Sequence, residues 1–180
     1  MSNTKILALV GSLRAASLNR QIAGLAAGAA PAGVTVSVFE GLGDLPFYND
    51  DIDGPDVAAP VVGLRTAAAE ADALLVVTPE FNGSIPAVMK NAIDWLSRPF
   101  GAGAVKGKPL AVIGTSMGQY GGVWGHNETR KSFGIAGARV VDTINLSLPV
   151  KSLGGRHPRD NAELMAALGD AVQKLAAEVG

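Results

Sequence analysis

Short apolar runs alternate with helical patterns along the whole chain. Five runs rich in Val, Leu, Ile and Ala are typical of buried strands, and they cover residues 5–10, 34–39, 73–77, 109–113 and 140–146. The second run alternates apolar and polar residues, as a strand near a sheet edge does. Because the runs alternate with helical segments, the pattern predicts an α/β fold whose parallel sheet is covered by helices on both faces.

The helical segments are marked by apolar residues that recur every three or four positions. Leu25 and Ala26 lie in the first segment, which Pro31 ends. Further helices are predicted at 61–70, 86–96, about 127–136 and 161–179. We expect Pro86 at the first helical position of its segment and Asn161 as the N-cap of the last helix, since both positions favour these residue types.

The predicted order of the strands locates a ligand site. Five strands in a doubly wound sheet favour the order 2-1-3-4-5, which reverses direction between the first and third strands. Ligands bind at that point, outside the carboxyl ends of the strands. The loops after the first, third and fourth strands should therefore differ from ordinary connections, and they do: GSLRAASLNR, TPEFNGS and GTSMGQYGG.

The loop after the first strand has the composition of an anion site. Ser12, Ser17 and Asn19 supply hydroxyl and amide groups, and Arg14 supplies a guanidinium. The loop leads into a helix whose free N–H groups and dipole favour an anion. The fingerprints GxxxxGK[ST] and GxGxxG are both absent. The loop suits a single terminal phosphate, and it equally suits a helix start that is capped by Ser or Asn.

The loops after the third and fourth strands suit a flat heterocycle. Residues 79–84 combine a proline, a glycine and Phe81, so backbone groups can meet the polar edge of a ring while the phenyl lies near its face. Residues 114–122 place four glycines around Ser116 and Tyr120, and glycine allows backbone to approach a ligand closely. Each loop alone is also explained as a simple turn. All three loops together, at the strand ends that the topology selects, favour a ligand site.

Composition and charge narrow the functional classes. Of the 180 residues, 48% are hydrophobic and 17% are charged, so we expect one globular domain over residues 1–180. The net charge of −1 offers no basic surface to nucleic acid. No apolar stretch reaches the length of a bilayer span, so no membrane partner is expected. The chain has no cysteine and two histidines, which argues against a metal site. The start of the chain reads as a strand and not as a signal peptide, and we expect a cytoplasmic location.

The chain resembles the NAD(P)H-dependent FMN reductase family, which includes quinone, chromate and azo-dye reductases. Three segments carry the resemblance: GSLR at 11–14 with Ser17 and Asn19, TPEFNGSIP at 78–86 running into KNAIDWLSRP at 90–99, and SMG at 116–118 with Gly121, Gly122 and Arg130. The central segment is long and specific. The resemblance covers about the first 150 residues and implies a flavodoxin-like three-layer sandwich around a five-stranded parallel sheet.

The resemblance also implies roles for eleven residues around the cofactor FMN. Its phosphate would be held by Ser12, Arg14, Ser17 and Asn19. One side of its isoalloxazine ring would be lined by Pro79, Glu80, Phe81 and Asn82. The other side would be contacted by Ser116, Met117 and Gly118. The family often has Tyr at position 81, so the phenyl of this chain keeps the ring contact and lacks one hydrogen bond.

The implied activity is an oxidoreductase with NADPH or NADH as the hydride donor. Flavin carries the redox chemistry, so no catalytic acid or base is assigned. We expect a ping-pong mechanism in which a small acceptor (quinone, free flavin, azo compound or metal oxyanion) follows the nicotinamide at the same open face. Trp124 and His126 follow the glycine loop and are candidates for shaping acceptor choice. His126 is also a candidate donor to a quinone oxygen, although a lone exposed histidine is more often incidental.

Three other readings of the sequence stay open. A flavodoxin-type electron carrier would bind FMN without nicotinamide turnover, but such carriers tend to be strongly acidic and this chain is not. A module for another phosphorylated small molecule would bind no flavin. A nucleotidase or a response regulator needs clustered acidic residues at strand ends to hold magnesium. Asp50, Asp51 and Asp53 instead lie in the irregular segment 41–60, which we interpret as a solvated loop.

A homodimer or homotetramer is implied by the resemblance, since the family commonly completes its site by oligomerising. Lys90, Asp94 and Arg98 are spaced four residues apart on one predicted helix. This spacing is typical of a solvated face with paired charges. The resemblance offers a contact between subunits as the alternative.

Overall fold

A sheet of five parallel strands forms the centre of the structure, a computed structural model that describes residues 3–180. The strands are β1 (Thr4–Val10), β2 (Val34–Phe39), β3 (Ala73–Val77), β4 (Pro109–Ser116) and β5 (Arg139–Pro149). They pair in the order β2-β1-β3-β4-β5, and each neighbouring pair is parallel. The predicted α/β class and the order 2-1-3-4-5 are confirmed.

Five α-helices connect or follow the strands. They are α1 (Leu18–Gly28), α2 (Ala59–Glu70), α3 (Ala87–Leu96), α4 (Val123–Ile135) and α5 (Ala162–Ala177). Asn161 is the N-cap of α5, as predicted, and its Oδ1 accepts a hydrogen bond of 3.0 Å from the backbone N–H of Leu164. This side chain replaces a helical partner that the first turn lacks.

Helices cover both faces of the sheet and create the predicted three-layer sandwich. Side chains of a strand alternate between the two faces. Ile6 and Ala8 of β1 therefore join one buried cluster with residues of α1 and α5, while Leu7 and Leu9 join a second cluster with residues of α2 and α3. Because both faces are covered, all four side chains are buried. This explains why β1 reads as an unbroken apolar run.

The long segment between β2 and α2 is fixed against α3. Asp53 accepts two hydrogen bonds from the Arg65 guanidinium, at 2.7 and 2.8 Å, and this contact holds the pKa of the Asp53 carboxyl below its usual value. The indole N–H of Trp95 donates to the Pro46 carbonyl at 2.8 Å, and the Tyr48 ring meets the Trp95 ring edge-on. We call these five residues, Pro46, Tyr48, Asp53, Arg65 and Trp95, the brace. The interpretation of the segment as a solvated loop is wrong for Asp53.

Several predicted boundaries differ from the structure, and three of them have a local physical reason. β4 continues to Ser116, where a loop was expected, because its last residues pair with the end of β5. α4 begins at Val123 and not at about 127, since a glycine at its N-cap and another in its first turn conceal the helical pattern. Pro86 has a ψ of 141° and is the N-cap of α3, one position before the helix that was predicted to start there.

Within residues 3–180, no helix combines the length and the apolar character that crossing a bilayer requires. The cytoplasmic location and the single domain over residues 1–180 stay predictions.

Candidate functional site

A cavity of about 470 Å³ lies at the carboxyl ends of β1, β3 and β4. Ten of the eleven residues predicted from the sequence line it: Ser12, Arg14, Ser17, Asn19, Pro79, Glu80, Phe81, Asn82, Ser116 and Met117. The eleventh, Gly118, is not among the lining residues. Leu18, Thr115 and Val150 line the cavity without having been predicted. They occupy a helix start, a strand end and a segment after β5, and no motif marks them.

The start of α1 forms the anion-binding end of the cavity. Ser12 and Ser17 are buried there, and the first turn of α1 contains no acidic residue. The Ser17 hydroxyl oxygen accepts a long hydrogen bond of 3.4 Å from the N–H of Arg20, so its own proton can be donated elsewhere. The first N–H groups of a helix have no partner within the helix. Together with the Arg14 guanidinium, these donors suit a phosphate.

Asn19 connects the start of α1 to the end of β4. Its side-chain N–H₂ donates to the carbonyl of Thr115, and its Oδ1 accepts from the N–H of Thr115, both at 2.9 Å. The residue is 4% exposed, and both of its polar groups are engaged by these backbone contacts. The geometry makes Asn19 a residue that sets the distance between two cavity walls. Its contact with a phosphate stays a prediction.

A tight hairpin presents Phe81 at the cavity. Asn82 and Gly83 have φ values of 53° and 73°, as the two central residues of a type I′ turn require. Phe81 and Ser84 exchange two backbone hydrogen bonds across the turn, at 3.0 and 3.1 Å. Asn-Gly is the residue pair that adopts this turn at the lowest cost. The sequence therefore fixes the loop backbone while leaving the phenyl ring half exposed.

The carboxylate of Glu80 caps α4. The N-cap position of α4 is Gly122, which has no side chain to accept a hydrogen bond, and Glu80 Oε2 accepts from the N–H of Gly125 at 2.9 Å instead. A negative charge at this end is also favoured by the helix dipole. A Cβ atom on Gly125 would lie only 2.9 Å from the Ser84 carbonyl oxygen. The missing side chain at 125 thus lets α4 dock onto the hairpin loop.

His126 lies beneath the site and not at its surface. It is fully buried, with Nε2 at 2.8 Å from the Thr78 carbonyl oxygen and Nδ1 at 2.7 Å from the Ser147 hydroxyl. A carbonyl only accepts, so Nε2 carries a proton, and in the neutral ring Nδ1 accepts from Ser147. Burial lowers the pKa of His126, and the nearby Arg130 charge adds to the effect. The hypothesis that His126 donates to a quinone oxygen is wrong, because both nitrogens are engaged inside the protein.

Two other parts of the predicted motif also serve the protein interior. Arg130 is 8% exposed and donates to the carbonyl of Val112 at 2.6 Å, and burial lowers its pKa. A Cβ atom on Gly114 would lie 2.2 Å from the Thr78 carbonyl oxygen. Close approach is the reason for this glycine, as expected, but its neighbour is the adjacent strand.

The donor set of the cavity fits FMN. One end offers hydroxyl groups, helix N–H groups and a guanidinium, which match a terminal phosphate. The other end offers Phe81 and Met117, whose exposed apolar side chains match a flat ring system. The volume lies within the range of sites for ligands and cofactors.

A family model described as NADPH-dependent FMN reductase matches residues 4–151. The matched range contains all eleven predicted residues and all three segments that carried the resemblance.

Three named proteins are similar to this chain over 65% of its length or more. A 2-hydroxy-1,4-benzoquinone reductase from a Burkholderia species is 47% identical over 119 residues, which span 65% of this chain and 63% of that protein. A quinone reductase from Pseudomonas putida is 38% identical over 150 residues, or 83% of this chain and 77% of that protein. The solved structure of FerB, a flavoenzyme NAD(P)H:(acceptor) oxidoreductase from Paracoccus denitrificans, superposes with a TM-score of 0.82 at 31% identity, covering 98% and 99% of the two chains.

Proposed function

This chain belongs to the NADPH-dependent FMN reductase family, and on that premise we propose that it is a single FMN-binding domain that uses NAD(P)H to reduce a small acceptor. The family and its cofactor were predicted correctly from the sequence. The observation that carries the proposal is the one cavity in which ten independently predicted residues meet. Quinones are the acceptors to test first, because two of the similar proteins are named for quinone reduction.

Different residues of the cavity would hold the phosphate and the ring system of FMN. Ser12, Ser17 and the first N–H groups of α1 would hold the phosphate, and Arg14 would balance its charge. Phe81 and Met117 would lie against the ring system. When bound, FMN supplies hydride chemistry, first with NAD(P)H and then with the acceptor, in the ping-pong order.

The protein contributes binding and orientation, and no side chain is proposed as an acid or base. Glu80 is the carboxylate of the cavity, but its Oε2 already accepts from the N–H of Gly125. His126 is neutral and enclosed. The open mouth beside Phe81 lets the nicotinamide and the acceptor enter in turn.

The proposal is tested by loading the purified protein with FMN, removing free flavin and recording the visible spectrum. We expect retained flavin absorbance that bleaches when NADPH or NADH is added without oxygen and returns when a quinone follows. Retained flavin that neither nucleotide bleaches would favour an electron carrier. Failure to retain flavin at concentrations well above micromolar would overturn the proposal.

A pair of matched variants tests the phosphate end. Replacing both Ser12 and Ser17 with Ala removes two hydroxyl donors, and we expect the dissociation constant of FMN to rise about tenfold or more. Ser152→Ala is the control, because this exposed hydroxyl donates to the Pro149 carbonyl and lies outside the cavity. If the double variant and Ser152→Ala bind FMN equally well, Ser12 and Ser17 do not hold the phosphate.

We also propose that the protein forms a homodimer or homotetramer through the groove between α3 and α4. This groove has a volume of about 340 Å³. Phe100 and Ile135 line it with side chains that are 84% and 74% exposed, and exposed apolar patches mark contacts between proteins. Lys90 and Asp94 form an ion pair at its border, at 2.6 Å. Light scattering should give a multiple of 18.3 kDa, and Ile135→Glu should reduce it to the monomer mass.

A further inference from the structure

An exposed aromatic pair lies beside the loops that line the cavity. Tyr120 and Trp124 are 54% and 55% exposed, and their ring centroids lie 5.5 Å apart with 59° between the ring planes. Aromatic side chains are scarce in this chain, at 5% of its residues. We call this exposed pair the aromatic rim.

The aromatic rim adjoins the walls of the cavity on two sides. Trp124 lies against the hairpin that carries Phe81, since a Cβ atom on Gly83 would be 3.9 Å from its Cε3 atom. Tyr120 follows the lining residue Met117 in a turn that the N–H of Gly121 closes on the Gly118 carbonyl, at 3.1 Å. The rim thus extends the apolar, ring-binding end of the cavity outward.

The backbone under the aromatic rim is held in place before any ligand arrives. The Glu80 carboxylate binds the N–H of Gly125, next to Trp124. One residue further, His126 joins the end of β3 to β5 through its two hydrogen bonds. A preorganised aromatic surface loses little freedom on binding, and it prefers flat partners that stack on a ring face or meet a ring edge.

We propose that Tyr120 and Trp124 bind the aromatic ring of the electron acceptor, so that the enzyme favours naphthoquinone-sized planar acceptors over small inorganic ones. This inference rests on the proposed function and names the acceptor class of the same site. Met117 and the two rim residues are uncharged, and Arg14, the cation of the cavity lining, is assigned to the phosphate, which favours a neutral ring at the rim over a metal oxyanion.

The kinetic test compares two acceptors in the FMN-loaded enzyme. Trp124→Leu and Tyr120→Leu should each raise the KM for menadione about tenfold, the size of one aromatic contact, and leave turnover of ferricyanide unchanged. Phe47→Leu is the control, because Phe47 is 83% exposed and belongs to the segment between β2 and α2, which contributes no residue to the cavity lining. Phe47→Leu should change neither the KM for menadione nor the turnover of ferricyanide.

A binding test avoids turnover altogether. The chain has two tryptophans, Trp95 and Trp124, and Trp95 is fully buried with its indole N–H on the Pro46 carbonyl. In the oxidised, FMN-loaded, ¹⁵N-labelled protein without NAD(P)H, menadione has no electron source. We expect it to shift the indole resonance of Trp124 and to leave that of Trp95 in place.

The outcomes separate the inference from the function on which it rests. If the unmutated enzyme turns over neither acceptor, the proposed function fails, and the indole shift alone decides whether the rim binds rings. If both are turned over and Trp124→Leu keeps their ratio, the inference is overturned while the function stands. It is also overturned if Trp124→Leu slows ferricyanide turnover at low NADPH, which would assign the rim to the nicotinamide, or if it changes the oligomer mass.

Discussion

The same two residue types form two pairs in this protein, one in the brace and one at the cavity mouth. Tyr48 and Trp95 meet edge-on with centroids 4.9 Å apart, and Tyr120 and Trp124 are tilted at 5.5 Å. Trp95 is fully buried, whereas Trp124 is more than half exposed. The rings alone do not account for this difference.

The difference lies in how the polar atoms are satisfied. The Trp95 indole donates to a backbone carbonyl, and the Tyr48 hydroxyl bonds to Asp50 and to Arg98. The Arg65 guanidinium also lies 5.4 Å from the centre of the Trp95 ring. A buried aromatic ring whose polar atom has a partner stabilises the fold. The rim pair lacks such enclosure, so it contributes a surface and little stability.

The strongest test of this contrast is Trp95→Ala. Removing a fully buried indole leaves a cavity and takes away one of the two hydrogen bonds to the Pro46 carbonyl, and we expect a loss of about 3–5 kcal/mol in the free energy of unfolding. Trp124→Ala, the control, should cost less than about 1 kcal/mol. Urea denaturation of both variants measures the two values. Similar losses would mean that the rim is as structural as the brace.

The second test concerns the support beneath the aromatic rim. His126→Leu leaves the Thr78 carbonyl and the Ser147 hydroxyl without their partner, and we expect a loss of about 1–3 kcal/mol. The exposed His157 provides the control: His157→Asn keeps an acceptor for the N–H of Arg159 and should be nearly neutral. This result would show that the buried residues beneath the aromatic rim stabilise the fold more than the rim residues do.

The same histidine predicts a pH effect. The pKa of His126 is lowered in the folded protein, chiefly by burial and also by the Arg130 charge, while the hydrogen bond to the Thr78 carbonyl and the Glu80 charge act in the opposite sense. The unfolded chain therefore binds the proton more readily. The contribution of His126 to the free energy of unfolding is complete above about pH 6.5 and declines as the pH falls below that value. The decline should be smaller in His126→Leu than in the unmutated protein.

A smaller effect is expected from Asp53→Asn, which sharpens the picture of the brace. The Asp53 side chain is 15% exposed, so losing its two charged hydrogen bonds to Arg65 should cost about 1–2 kcal/mol. Because its folded pKa is lowered by Arg65, the contribution is present above about pH 4 and is lost as the pH falls further. Asp51→Asn, on an exposed neighbour, should leave the acid-unfolding curve unchanged.

The smallest expected effect is the difference in stability between Tyr48→Phe and Tyr120→Phe. Tyr48→Phe removes a hydroxyl that bonds to two charged side chains, and we expect a loss of about 0.5–1 kcal/mol. Tyr120→Phe should be neutral within about 0.5 kcal/mol. Thermal unfolding resolves this difference. A larger loss in Tyr120→Phe would contradict the assignment of its ring to a ligand surface.

Local patterns were sufficient to predict the fold and the loops of the site, and the family resemblance supplied the individual site residues. The apolar runs identified all five strands, and the strand order selected the loops that line the cavity. These features depend on residues that are close in sequence or on rules of topology. The predicted N-cap of α5 is of the same kind, since Asn161 and Leu164 are three residues apart.

Contacts between distant residues could not be predicted in this way. Asn19 meets Thr115 across 96 positions, and His126 meets Thr78 across 48. A single polar residue carries no periodic signal that shows whether its partner is a ligand or a strand end. The start of α4 was missed for a local reason, because Gly122 and Gly125 have low helix propensity and the cap is supplied by Glu80 from another loop.

The close contact of Gly125 with the hairpin has a consequence for how this enzyme can change. A side chain at 125 would separate α4 from the loop that holds Phe81, so this position admits almost no variation. Positions 120 and 124 face outward and are free of that restriction. A library that randomises only these two positions would therefore test the proposed acceptor preference on an unaltered scaffold.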